Sequence, residues 1–111
     1  MTYVPADPLT EAGPGLFEGY WRCRFVDSDG TALPAAAVYE KTDLCIGNNR
    51  AARGGPRFGD IFCDFDCENG RLLIELADGR TAAVALQKDG FMRLTLGDEV
   101  LYLERCVSDD N

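Results

Sequence analysis

The feature that most constrains this chain is the brevity of its connections after residue 70. Arg71–Ala77 turns at Asp78-Gly79 into Thr81–Gln87. Lys88-Asp89-Gly90 turns that run into Phe91–Leu96, and Gly97-Asp98 leads on to Glu99–Arg105. Each run is about six residues long, and two or three turn residues separate it from the next. A parallel crossover needs a dozen residues or more, so these four runs can only form an antiparallel meander.

The pattern extends toward the N-terminus. Tyr20–Val26 alternates Trp21, Cys23 and Phe25 against Arg22 and Arg24, and Asp27-Ser28-Asp29-Gly30 follows as a turn. Asp60–Cys67 sets Ile61, Cys63, Phe65 and Cys67 against Asp64 and Asp66, then meets Asn69-Gly70, a strong hairpin signal. Residues 32–46 are ambiguous: the alanines fit one helical turn, whereas Val38-Tyr39 and Leu44-Cys45-Ile46 fit two short strands. The count is seven or eight strands with little helix. A meander of that size must hide its edges, and closure into a small antiparallel up-and-down β-barrel does so most completely, an open sheet or sandwich being the alternative. The domain spans residues 19–106, with a five-residue tail, 107–111, after it. Residues 1–18, with Pro5, Pro8, Gly13, Pro14 and Gly15, read as an extended arm, ordered only if docked.

Chemistry is thinly represented. The 111 residues contain no histidine, which removes the commonest general base and a common zinc ligand together. Without a base, Cys23, Cys45, Cys63, Cys67 and Cys106 are poor nucleophiles, and the expectation is no catalytic residue, metal site or cofactor. Cys63 and Cys67 on one strand would lie about 13 Å apart, beyond disulfide reach. Asp60, Asp64, Asp66 and Glu68 read as a solvated acidic stripe rather than a calcium site. Asp27-Ser28-Asp29-Gly30 begins like a calcium loop, but Val38 occupies its closing position. A net charge of −8 argues against nucleic acid, and no apolar run approaches the ~20 residues of a membrane helix. Five cysteines, and a start lacking a basic or apolar leader, favour the cytoplasm; a periplasmic or secreted location follows if a signal peptide has been removed.

Binding remains. Inward-pointing Phe25, Phe65, Ile74, Leu86 and Leu94 are the candidate lining for a small hydrophobic ligand, entering opposite Trp21, although large side chains on short strands favour a filled interior. A protein partner is the alternative. It would use the arm, the Gly- and Asn-rich loop 47–59 with Arg50, Arg53 and Arg57, or an outer apolar patch of Leu73, Ala83, Ala85, Val100 and Tyr102 that also suits a homodimer.

Gly19-Tyr20-Trp21 opening an all-β meander resembles the lipocalin and wider calycin barrels, most of all the compact bacterial lipocalin-like domains. The resemblance covers residues 19–106. It implies that Trp21 closes one end of the barrel and that a basic residue of the last strand, here Arg105, packs across its ring. A weaker resemblance, carried by the arm and by Asn69–Gly79, is to the small secreted bacterial inhibitors of metalloproteases. That one implies an N-terminal arm entering a protease cleft.

Overall fold

The four C-terminal runs form the meander as expected: in Arg71–Leu76, Thr81–Leu86 and Met92–Leu96 every second side chain is buried in a common core, while in the last run Leu101, Tyr102 and Leu103 are all buried. The computed structural model describes residues 3–9, 11, 13–36, 43–47, 51–54, 60–66, 70–76 and 78–106, with side chains at all of these except 14, 43, 51–54, 60 and 62–66. Its elements are a 3-10 turn, Pro14–Phe17, and nine strands. The strands are β1 (Gly19–Asp27), β2 (Ala32–Pro34), β3 (Asp43–Ile46), β4 (Ala51–Gly54), β5 (Asp60–Asp66), β6 (Arg71–Leu76), β7 (Thr81–Leu86), β8 (Met92–Leu96) and β9 (Glu99–Cys106).

All the pairings are antiparallel. From β3 to β9 each strand pairs with the next, and β1 takes β3 on one edge and β9 on the other, so the ladder returns to its start. Eight strands form this ring, and β2 folds back on the second half of β1. The ring is uneven. The β1–β9 ladder spans seven registered residues, against four for β1–β3 and three each for β3–β4 and β4–β5.

Two segments differ from the expectation. Residues 51–54, inside what reads as a loop, form β4, because a strand is needed to bridge β3 and β5. Ala32–Pro34, within the ambiguous stretch, is a strand and not a helical turn, held by pairing with Phe25, Val26 and Asp27. Val38 and Tyr39 lie outside the described residues.

A third difference moves a side chain through the sheet. The ladder pairs Cys23 with Leu103 but Phe25 with Tyr102, leaving Arg24 as an extra residue. Such a bulge shifts the alternation by one. Beyond it Val26, opposite Leu101, packs against the core, and Phe25 joins Tyr102 on the outer face. Phe25 is therefore not an interior residue.

The core is continuous: Phe17, Trp21, Cys23, Leu44, Ile46, Ile61, Leu72, Ile74, Leu76, Val84, Leu86, Met92, Leu94, Leu96, Leu101 and Leu103 are all buried and form one cluster. Asp27 caps the turn after β1. Its Oδ1 accepts the amides of Asp29 at 3.2 Å and Gly30 at 2.7 Å, which makes the segment an Asx turn. Gly97, at φ 62°, makes the left-handed turn that joins β8 to β9.

Candidate functional site

Three places hold the residues in question. The first is the end of the barrel where β1 begins. The 3-10 turn lays Phe17 into the core, and the Phe17 carbonyl accepts the Trp21 indole N–H at 2.9 Å. Trp21 sits opposite Arg105 in register, and the guanidinium lies over its ring, 4.3 Å from the ring centre. Arg105 Nη2 donates to the Leu16 carbonyl at 2.6 Å, and Nη1 donates to the Glu18 carbonyl. A side chain at Gly19 would meet that group: a Cβ there falls 2.6 Å from Nη1, and the backbone has φ 133°, which glycine alone adopts easily. Gly19, Trp21 and Arg105 thus form one closure, and the turn they hold is the last part of the supposedly extended arm.

Inside the barrel, Ile74, Leu86 and Leu94 belong to the packed cluster. They contact other side chains where a ligand was expected to lie. Phe65 stands opposite Leu72 in register, with its side chain outside those described. Arg53 lies on β4, opposite Cys45 and Asp60, and its side chain is likewise not described. Arg50 and Arg57 fall outside the described residues, as do Cys67 and Glu68. The proposed Arg cluster is therefore not described as a site.

The second place is the far end, where Gly79, Arg80, Thr81, Leu96 and Gly97 line a solvent-open depression of about 340 Å³. Arg80 is tied beside it by its Nε–H to Asp78 Oδ2 at 2.6 Å. The Arg80 amide and side chain hold the exposed Asp78 carboxyl below the usual range.

The third place was not legible in the sequence. Residues 3–9 run across the outside of the barrel: the Tyr3 amide donates to the Ala32 carbonyl at 3.0 Å, the Leu9 amide to the Leu86 carbonyl at 2.7 Å, and the Lys88 amide to the Asp7 carbonyl at 2.8 Å. The Tyr3 ring packs on Phe25 at 4.7 Å, with the rings nearly parallel, on Phe91 at 5.0 Å and on Tyr102 at 5.0 Å. Its hydroxyl donates to Asp89 Oδ2 and accepts from Gln87 Nε2 at 2.7 Å. Asp89 Oδ1 also accepts from Gln87 Nε2 and from the Phe91 amide, each at 3.1 Å. Gln87 is buried, and its Oε1 is left without a donor.

The electrostatics follow from these bonds. Burial, then the hydrogen bond to Asp89, pushes the Tyr3 phenol up to about 12. Burial works against ionising Asp89, yet the donors Tyr3, Phe91 N–H and Gln87 outweigh it and hold the carboxyl below its ordinary value. Tyr102 is raised by burial beneath the arm. The expected outer patch is thus partly covered: Tyr102 is 2% exposed, while Leu73 remains 40% exposed.

Sequence signals for this site are slight. Tyr3 is a lone aromatic in a segment without periodicity, Gln87 reads as the last residue of a strand run, and Lys88-Asp89-Gly90 reads only as a turn. Among the described residues no three His, Cys, Asp or Glu side chains gather as a metal site, and no helix is long and apolar enough to cross a membrane. Comparison with protein-family models, with curated proteins and with solved structures finds no match to this chain.

Proposed function

We propose that the chain is a non-catalytic binding protein that works from the outside of its barrel, as a protein-interaction module on a lipocalin-like scaffold. The observation that carries this reading is the filling of the interior among the described residues: Ile74, Leu86 and Leu94 are between 1% and 5% exposed, each packed into the common core. Contact surface is available outside. Leu73 of β6, Ala83 of β7, Thr95 of β8 and Val100 of β9 stand side by side in register on the outer face, offering an uncharged row of three apolar side chains and a threonine to a protein partner or to a second copy. The kinship to small lipocalin-like barrels rests on the Gly19, Trp21 and Arg105 closure. The free thiols of Cys45 and Cys106 fit a cytoplasmic location, and the net charge of −8 disfavours nucleic acid.

A second reading keeps the small hydrophobic ligand and moves it to the depression beside Leu96 and Arg80. Native mass spectrometry of the protein purified from its own host, before and after denaturation, separates the two. A bare chain, a dimer or a co-purifying polypeptide is expected. An extra mass of small-molecule size, lost on denaturation, would overturn the first reading in favour of the second.

A further inference from the structure

We propose that Phe25, Phe91, Tyr102, Gln87 and Asp89 form a receptor for the tyrosine of an extended segment of another protein, and that Tyr3 holds that place in the isolated chain. The inference rests on the interaction reading above and narrows it to one site and one chemistry.

The slot reads every part of a phenol. Three aromatic rings contact the Tyr3 ring, a carboxylate accepts its hydroxyl proton and an amide donates to its oxygen. A phenylalanine in the same place would leave Asp89 and the buried Gln87 amide each short of a partner, the kind of mismatch that polar sites reject strongly. The backbone around the slot recognises an extended chain as well. Tyr3 bridges to Ala32 and Pro8 to Gln87, each as an isolated antiparallel bridge, and the Tyr3, Leu9 and Lys88 amides bond across, so the slot is flanked by main-chain partners for an extended chain.

The resident segment fills this surface incompletely. Gln87 Oε1 is buried with no donor, an unpaired group that a segment with one more donor near its phenol would satisfy. Val4, next to the anchoring tyrosine, is 81% exposed, and Leu9 is 36% exposed. The arm is held by one side chain and a few backbone bonds. An occupant tethered to its own site needs little intrinsic affinity, because its effective concentration is on the order of millimolar. A segment supplying the missing donor competes with it, and the net charge of −8 favours one that is basic.

The test uses the full-length Tyr3→Ala variant, whose slot is open, and three nine-residue peptides: the chain's own first nine residues, and the same peptide with phenylalanine or alanine for its tyrosine. The tyrosine peptide is expected to bind saturably, to raise the variant's Tm and to shift the NMR signals of Phe25, Phe91 and Tyr102. The phenylalanine peptide is expected to bind about tenfold more weakly or worse, and the alanine peptide not measurably. Wild type should bind the tyrosine peptide more weakly than the variant, because its own arm competes. Equal binding of the tyrosine and phenylalanine peptides, or no binding to a folded variant, overturns the proposal. So does p-cresol binding as tightly as the peptide, which would make this a small-phenol site. If Tyr3→Ala does not fold, excess peptide against wild type gives the same tyrosine-to-phenylalanine ratio through displacement of the Tyr3 signals. A concentration-dependent dimer of wild type that Tyr3→Ala abolishes would name a second copy as the occupant and overturn the assignment to another protein. Failure here with a co-purifying polypeptide in the native mass sinks the slot alone. Success here with a small molecule in the native mass sinks the broader surface reading instead.

Discussion

The two halves of the N-terminal segment each cover one aromatic side chain of β1, on opposite faces of the same strand and by different means. Residues 14–18 cover Trp21 from inside: Phe17 is wholly buried, and the Trp21 indole N–H and both Arg105 Nη atoms donate to main-chain carbonyls of residues 16–18. Residues 3–9 cover Phe25 from outside, through a phenol that bonds to the side chains of Gln87 and Asp89 and leaves Val4 in solvent. The bulge at Arg24 makes both covers necessary, because it sends the second aromatic to the face opposite the first. Closure by buried apolar area and backbone bonds is part of folding. Closure by a side-chain network at the surface is exchangeable, since water or another phenol can supply its partners.

This contrast orders the expected effects. Trp21→Ala should be the most damaging change, costing about 3–5 kcal/mol by emptying the packed end of the barrel; a loss under about 1 kcal/mol in urea unfolding would show that end to be as superficial as the cover made by residues 3–9. Arg105→Ala removes the cation–π contact and two bonds to carbonyls, and should cost about 1–3 kcal/mol. A neutral result in the same assay would break the closure and remove the ground for the proposed likeness to lipocalin-like barrels. Gly19→Ala should lower stability by about 1–2 kcal/mol, from the positive φ and the displaced guanidinium, and the loss should shrink when combined with Arg105→Ala.

The cover made by residues 3–9 should respond to pH before the closure around Trp21 does. Tyr3 is raised, so its contribution is complete below about pH 10 and is lost as pH rises through about 12. Asp89 is lowered, so its contribution holds above the ordinary carboxylate range and is lost as pH falls through its depressed value. Tyrosinate absorbance and near-ultraviolet circular dichroism should show one late-titrating phenol that disappears in Tyr3→Phe, with secondary structure retained. Simultaneous loss of both regions would remove the distinction.

Legibility followed the same division. The Trp21 and Arg105 pairing is what the Gly19-Tyr20-Trp21 resemblance implies, and Trp21 keeps its place in the alternation because it precedes the bulge on β1. Phe25 was misplaced because a one-residue bulge carries no signature in its residue types, and everything beyond it on that strand changes face. The Tyr3, Gln87 and Asp89 site has no local signature, because 84 or 86 residues separate the partners and neither Tyr3 nor Asp89 lies in a periodic run. β4 reads as loop in the sequence because Ala51–Gly54 has no strand propensity of its own and takes its conformation from β3 and β5.

What the sequence alone determined is the all-β class, the antiparallel meander and most of the core, since those follow from period-two burial and from turns too short for any other connection. Only the tertiary structure decided where the alternation breaks, how the ladder returns to β1, and which surface the arm covers. Those outcomes depend on pairing energies between residues far apart in the chain, and local pattern carries no record of them.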